Sequence, residues 1–196
     1  MDYRIDKVEI PRLKQLESDC PWLQLRRVLG RGSARLLDVN LDVQAFAWRP
    51  QDIEPTLQPG PWHIQSALAN GMLVQPMVRI VPNVDGFVPA SGNISDWTEG
   101  NEISAGLICY SARWDPTRHT LAWVMYQVAR IVSGEVFHME AGPLSRRGRD
   151  WQAEALTLGK LPAFVLPPVS EDLLFLGPRV EASHGPVCEG IEFDVF

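Results

Sequence analysis

Histidine and cysteine side chains are the groups in this chain best suited to acid–base, nucleophilic or metal chemistry. They are His63, His119, His138 and His184, with Cys20, Cys109 and Cys188. No HxH, HExxH, HxxxH or CxxC pattern occurs, so the spacing does not predict a zinc site, and the lack of a GxSxG elbow disfavours a serine nucleophile. We expect reduced thiols, with Cys109 in the core of a strand, and we predict no catalytic residue, metal or cofactor.

A turn rich in glycine and arginine, GRGSAR at residues 30–35, resembles the start of a phosphate-binding loop. The third glycine of that motif is missing, and a strand pattern rather than a helix follows. A polar turn is therefore the better interpretation. Its arginines, together with Arg26 and Arg27, are predicted to form a basic rim.

Two further segments are candidates for contact with a partner. Arg146, Arg147 and Arg149 form a compact basic cluster in a predicted glycine-flanked loop, which is either solvated or in contact with phosphates or an acidic protein surface. Asp96 and Trp97 lie in a long loop rich in Gly, Asn and Asp. An aromatic side chain beside charged residues is typical of a contact surface, so we predict that this loop also meets a partner.

The main element that would position such contacts is a helix predicted at 116–133. Asp115 is its expected N-cap, Pro116 its first residue and Gly134 its C-terminal stop. At 100° per residue its apolar side chains fall on one face, which is the predicted core face. They are Leu121, Val124, Met125, Val128, Ile131 and Val132.

The opposite face of the same helix carries Trp123, Tyr126 and Arg130 and is predicted to face solvent. Trp, Tyr and Arg are the residue types enriched in interface hot spots. These three residues are therefore the candidate subunit interface. The alternative is that a further layer of this chain, in particular the segment 140–180, covers them.

The remaining elements complete an α+β fold. They are helices at 10–19, 62–70 and 150–158 and strands at 36–45, 72–81, 102–112 and 191–195. One mostly antiparallel sheet of four to five strands should pack on the principal helix, with long proline-rich loops between elements. We predict one domain over 1–196, with a core at 10–48, 72–134 and 187–196 and embellishments at 49–71 and 140–186.

Composition limits the classes of function. The chain has 196 residues and a formal net charge of −6, which argues against a dedicated nucleic-acid-binding protein. Charged residues follow Met1, so no secretion signal is predicted, and no apolar run reaches membrane-spanning length. We expect a protein that folds in a reducing cytoplasm, is not secreted and does not contact membrane.

The order of elements resembles the tail terminator proteins of long-tailed bacteriophages. A strand, EISAGLICYSARWD, ends in an Asp-Pro turn and leads into the helix TRHTLAWVMYQVARIVSGE, and a last strand, GIEFDVF, would return to the same sheet. The match covers residues 102–134 and 187–196, with weaker support from 72–82. It spans about a quarter of the chain, and its pattern has no invariant signature.

This resemblance implies a structural virion protein rather than an enzyme. Tail terminators form homo-hexameric rings that cap the tail tube and sheath and dock the head connector. The implied partners are further copies of this chain, tail-tube and sheath proteins and the connector, with DNA only as passing cargo. Assembly would take place in the host cytoplasm. The alternatives are another oligomeric adaptor, such as a head–tail connector or baseplate component, and a small cytoplasmic enzyme.

Overall fold

A computed structural model describes residues 2–95, 106–110, 113–136 and 144–177 of the chain. Within these ranges, seven strands form two antiparallel sheets, and four α-helices accompany them. The predicted α+β class is therefore confirmed. The prediction of a single sheet with one principal helix is wrong in detail, because there are two sheets and three helices of ten or more residues.

The larger sheet has four strands in the order β1-β2-β5-β6. These strands are β1 (Leu23–Leu29), β2 (Arg35–Leu41), β5 (Trp62–Leu68) and β6 (Met77–Val81). Leu37, Val39 and Leu41 of β2 are fully buried on one face, and the residues between them point to the other face. The alternating strand predicted at 36–45 is thus confirmed over most of its length.

The helix predicted at 62–70 is wrong, because this segment is the central strand β5. Trp62, Ile64, Ser66 and Leu68 are buried and alternate with half-buried residues, which is a period of two rather than 3.6. Since β5 pairs with both β2 and β6, the segment 49–71 is part of the core and not an embellishment.

The smaller sheet has the order β4-β3-β7 and is formed by Thr56–Gln58, Ala45–Trp48 and Val88–Pro89. Arg49 lies between the first two of these strands in sequence and bonds Asp52, with Nη2 3.1 Å from Oδ1. The proline-rich stretch is therefore an ordered connection, as predicted.

The helical layer begins with a π-helical turn at Ile5–Glu9 that runs into α1 (Ile10–Asp19), so the helix predicted at 10–19 is confirmed. Glu9 is fully buried, accepts a hydrogen bond from Leu121 N at 2.6 Å and pairs with Arg4 at 2.8 Å. Arg4 also donates to the His119 carbonyl. These bonds join the start of the chain to the start of the central helix.

The central helix α2 spans Leu121–Val132, five residues later at its start than predicted. Its N-cap is Thr120, whose hydroxyl accepts from Trp123 N, whereas Asp115 caps only the preceding turn through Thr117 N. The predicted stop is confirmed: Gly134 has φ of +77°, which favours glycine, and its N–H bonds the Ile131 carbonyl.

Two further helices complete the described structure. These are α3 (Arg146–Thr157) and α4 (Glu171–Leu174). The helix predicted at 150–158 therefore exists but begins four residues earlier, and Ser145 caps it by accepting from Gly148 N at 2.9 Å. Ala155, Leu161 and Leu174 are buried, so parts of the described range 144–177 pack against the rest of the chain.

The strand predicted at 102–112 is described only in part. Leu107 forms an isolated bridge with Arg79 and Ile108 forms one with Ile94, so residues 106–110 extend the β6 edge. Residues 102–105, 111–112 and the predicted final strand lie outside the described residues. No helix in the described ranges is long and apolar enough to cross a membrane.

Candidate functional site

The helix face predicted to be a subunit interface is largely covered by this chain itself. Trp123 is only 9% exposed, so its predicted exposure to solvent is wrong. The His119 ring stacks on it with centroids 4.0 Å apart and planes 6° apart, and Tyr110 and Trp114 approach it at 6.1 and 6.3 Å. Nine of the twelve residues of α2 are buried, which is typical of a helix packed on both sides.

Tyr126 and Arg130 are half-buried rather than free. Tyr126 lies 6.3 Å from the Trp22 ring, and burial raises the pKa of its hydroxyl. Arg130 lies over the Tyr126 ring and pairs with Glu135 at 2.9 Å. Part of the predicted cover from 140–180 is also present, because Phe175 lies 6.0 Å from His119.

The arginine cluster lies in the first turn of α3, not in a loop as predicted. Gly148 makes this possible, because a Cβ at that position would overlap the Ser91 carbonyl. Arg147 stacks over Trp48 at 3.9 Å and donates to the Ile53 carbonyl, and Arg149 pairs with Asp150. Arg146 is exposed. The two loop candidates, Asp96 and Trp97, lie outside the described residues.

Cys109 is a free, half-exposed thiol, so the prediction that it lies in a strand core is wrong. Its neighbours Ile108 and Tyr110 are buried, and Tyr110 donates a hydrogen bond to the Pro76 carbonyl at 2.6 Å. Because successive side chains of an extended segment alternate, these two anchors direct the cysteine side chain outward. Cys20 is the buried thiol of the described chain.

Asn93 is joined to Cys109 by two reciprocal hydrogen bonds. The carboxamide Nδ2 of Asn93 donates to the Cys109 carbonyl at 3.0 Å, and Cys109 N donates to the Asn93 carbonyl at 2.8 Å. Asn93 is 3% exposed. A buried carboxamide is therefore bonded to the backbone of Cys109, the residue whose thiol is half-exposed.

The loop that carries Asn93 is held by α3. Gln152 of α3 is fully buried, and its Oε1 accepts from Gly92 N at 2.7 Å and from the Ser91 hydroxyl at 3.4 Å. The Ser91 hydroxyl in turn accepts from Asn93 N. The position of the carboxamide therefore depends on a helix that lies about sixty residues later in the chain.

This arrangement was missed at the sequence level. The only local signal was the Gly-Asn pair at 92–93, which is typical of a turn, and nothing in the sequence placed that turn against Cys109. The arrangement holds the backbone of a half-exposed cysteine in place, and a cysteine thiol is the nucleophile in acyl transfer to sulfur.

A second polar cluster lies on the outer face of the larger sheet. Asp38 is 2% exposed, and its Oδ2 accepts from Arg27 Nε at 2.6 Å, while His63 Nε2 lies 3.5 Å from its Oδ1. Burial by itself raises the pKa of Asp38, but the hydrogen bond and charge of Arg27 outweigh it and hold the pKa below its ordinary value. Arg35, predicted as part of the basic rim, is instead buried against Asp6.

No cluster of three or more metal-ligating side chains occurs among the described residues. Comparison with known proteins gives no further assignment, since no family model, curated protein or solved structure matches this chain. The functional argument therefore depends on the side chains alone.

Proposed function

We propose that this protein is a thiol carrier: Cys109 receives an acyl group as a thioester and passes it to an amine. The observation that carries the proposal is a half-exposed thiol on a backbone that two hydrogen bonds join to the buried Asn93. This departs from the non-catalytic role expected from the sequence.

Acyl transfer through Cys109 takes place in two steps. The Cys109 thiolate attacks the carbonyl carbon of an acyl thioester donor, a new C–S bond forms and the donor's thiolate leaves. A neutral amine then attacks the enzyme-bound thioester, an amide forms and the Cys109 thiol is released. In both steps negative charge develops on the carbonyl oxygen of the acyl group. The Asn93 carboxamide donates to the Cys109 backbone carbonyl and so holds the segment that presents the thiol.

The surroundings of Cys109 favour carrying an acyl group over hydrolysing it. In the described part of the chain, the side chains that bond the backbone of 107–110 are the Asn93 amide and the Ser95 hydroxyl. Neither is a base that would activate water at neutral pH. Exchange between a thiol and a thioester proceeds by attack of the thiolate on the carbonyl carbon and does not use an activated water.

The test is acyl loading from a small peptide thioester, followed by intact-protein mass spectrometry. We expect one adduct that hydroxylamine removes, and we expect Cys109→Ala to abolish it. Cys20→Ala and Cys188→Ala are the matched controls and should load as the unchanged protein does. Loading of Cys109→Ala at the wild-type rate would overturn the proposal.

A separate variant in the same experiment tests the role of Asn93. Asn93→Asp keeps the size of the side chain but replaces the donor to the Cys109 carbonyl with a carboxylate, so transfer from loaded Cys109 to a primary amine should slow as the segment that presents the thiol loses this bond. A melting curve for each variant separates this effect from loss of folding. An unchanged transfer rate in a folded Asn93→Asp protein would remove Asn93 from the mechanism.

A second candidate is the assembly role expected from the tail-terminator resemblance, a ring that caps the tail tube and joins it to the head connector. The specific observation in its favour is a group of exposed apolar side chains just before and within β6, with Leu73 68%, Val74 50% and Met77 59% exposed. Exposed apolar residues close together are typical of contact surfaces. Tyr126, Arg130 and Arg146 keep some exposure and are the remaining interface candidates.

Mass photometry of the purified chain, alone and with tail tubes, tests this second candidate. A closed ring or a concentration-dependent hexamer supports it, and Met77→Lys should then lower the oligomer mass without changing the melting temperature. A protein that remains monomeric with tail tubes present contradicts it. The acyl-loading assay is independent of this result.

A further inference from the structure

An open cavity of about 660 Å³ lies on the outer face of the larger sheet. It shares no lining residue with the Cys109 site, and neither proposed function uses it. Arg26 and Arg27 of β1, Asp38 and Asn40 of β2 and His63 of β5 form its floor. The volume lies in the range of pockets that hold small organic ligands.

A β-bulge shapes the charge of this cavity. The pairing of β1 with β2 shifts between Leu25 and Arg27, so that Arg26 has no partner in the register. Consecutive residues of a regular strand point to opposite faces, but a bulge re-aims its side chains. Arg26 and Arg27 consequently line the same cavity.

The two arginines differ in whether a neighbouring carboxylate neutralises their charge. Arg27 is neutralised by the buried Asp38 through its Nε and Nη2 atoms. Arg26 is exposed, and over the described ranges it makes no hydrogen bond or ion pair. Arg26 is therefore the uncompensated cation of the cavity, with His63 beside Asp38 as a further donor.

The wall across the cavity from the two arginines carries a negative charge. It is formed by the loop 82–85 and by Gln58, and its one charged group is Asp85. A carboxylate there disfavours a second anionic group on the ligand but accepts hydrogen bonds from hydroxyl groups. Asn83 in this loop and Asn40 on the floor add side-chain amides to the lining.

We propose that this cavity binds a sugar phosphate. The single phosphate would meet the guanidinium of Arg26, which matches a phosphate with paired N–H donors. The hydroxyl groups of the sugar would meet Asp85 and the side-chain amides. The combination of one free cation on β1 and one carboxylate on the loop 82–85 favours a ligand with one anionic end and one hydroxyl-bearing end.

Calorimetric titration of the full-length protein tests the site with ribose 5-phosphate, ribose and inorganic phosphate as probes. We expect ribose 5-phosphate to bind at least about 10-fold more tightly than either fragment, since it alone meets both ends of the cavity. Equal affinity for ribose 5-phosphate and ribose would overturn the phosphate assignment. Equal affinity for ribose 5-phosphate and inorganic phosphate would overturn the sugar assignment.

Single substitutions test whether ribose 5-phosphate binds in this cavity. Arg26→Ala should weaken ribose 5-phosphate binding by about 10-fold or more, whereas Arg31→Ala, an exposed arginine in the adjoining turn that does not line the cavity, should not change it. Asp85→Asn should weaken binding of ribose 5-phosphate and leave inorganic phosphate unaffected. Equal losses with Arg26→Ala and Arg31→Ala would show only non-specific attraction and would overturn the proposal.

Discussion

At the scale of single residues, His119 shows how burial assigns a role that a sequence leaves open. Its ring lies flat on Trp123, and its Nδ1 accepts a hydrogen bond from Asp115 N at 3.1 Å. This bond requires an unprotonated Nδ1. Burial lowers the pKa of His119, and the nearby charge of Asp115 opposes this only in part.

A pH dependence of stability follows from that lowered pKa. The unfolded chain takes up a proton near pH 6.5, whereas the folded chain resists it, so the stability that His119 contributes is present above about pH 6.5 and is lost as the pH falls below it. Melting temperatures measured between about pH 7.5 and pH 5 should therefore fall further for the wild type than for His119→Gln. Parallel curves for the two proteins would contradict this assignment.

The Cys109 site belongs to the same scale. Its cysteine is one of the three thiols in the sequence, but the prediction that Cys109 lies in a strand core is wrong, because the side chains of an extended segment alternate between two faces. The structure buries only Ile108 and Tyr110 beside it. The loading experiments on Cys109 and Asn93 are therefore the most direct test of the chemistry.

At the scale of elements, the start of α2 is fixed by distant residues. Four backbone N–H groups at a helix N-terminus need partners. Thr120 supplies one acceptor, and Glu9, from the first turn of the chain, supplies another through its bond to Leu121 N. Asp115, the expected cap, bonds only within its own turn.

This difference predicts that two similar substitutions lower the free energy of unfolding by unequal amounts. Glu9→Ala should lower the free energy of unfolding by about 3–5 kcal/mol, because it leaves Arg4 and Leu121 N without their buried partner. Asp115→Ala should lower it much less, since the bonds of Asp115 are exposed. Urea denaturation measures both values, and a larger loss for Asp115→Ala would mean that the helix starts where the sequence placed it.

At the scale of the whole molecule, the question is whether the aromatic cluster around Trp123 is internal packing or an assembly surface. Trp114, His119, Tyr110 and Trp123 contact one another within one chain. Their mutual packing accounts for the face of α2 that was predicted to meet a neighbouring subunit. Arg130 keeps some exposure and can still be tested in that role.

Trp123→Ala and Arg130→Ala separate these roles. Trp123→Ala should lower the free energy of unfolding by about 3–5 kcal/mol through the cavity it leaves, with no direct effect on oligomer mass while the protein is folded. Arg130→Ala should cost about 1 kcal/mol or less in stability. If mass photometry instead shows that Trp123→Ala disrupts an oligomer at unchanged stability, the face is an interface after all.

The sequence by itself determined the α+β class, the helix at 10–19, the alternating strand β2 and the glycine stop of α2, because each has a local period or a cap residue. It did not determine that 62–68 is a strand, since the segment is short and its alternation includes Ser66 as a core residue. Only tertiary pairing with β2 and β6 decided this.

The same division holds for the sites. Residue types alone identified Cys109, the Arg26–Arg27 pair and the aromatic residues of α2. Tertiary structure alone brought Asn93 to Cys109, produced the bulge that turns Arg26 into the cavity and covered Trp123. The physical reason is that burial and side-chain direction depend on contacts between residues far apart in the chain. Hydrophobic periodicity and helix caps, in contrast, depend only on residues that are close together in the sequence.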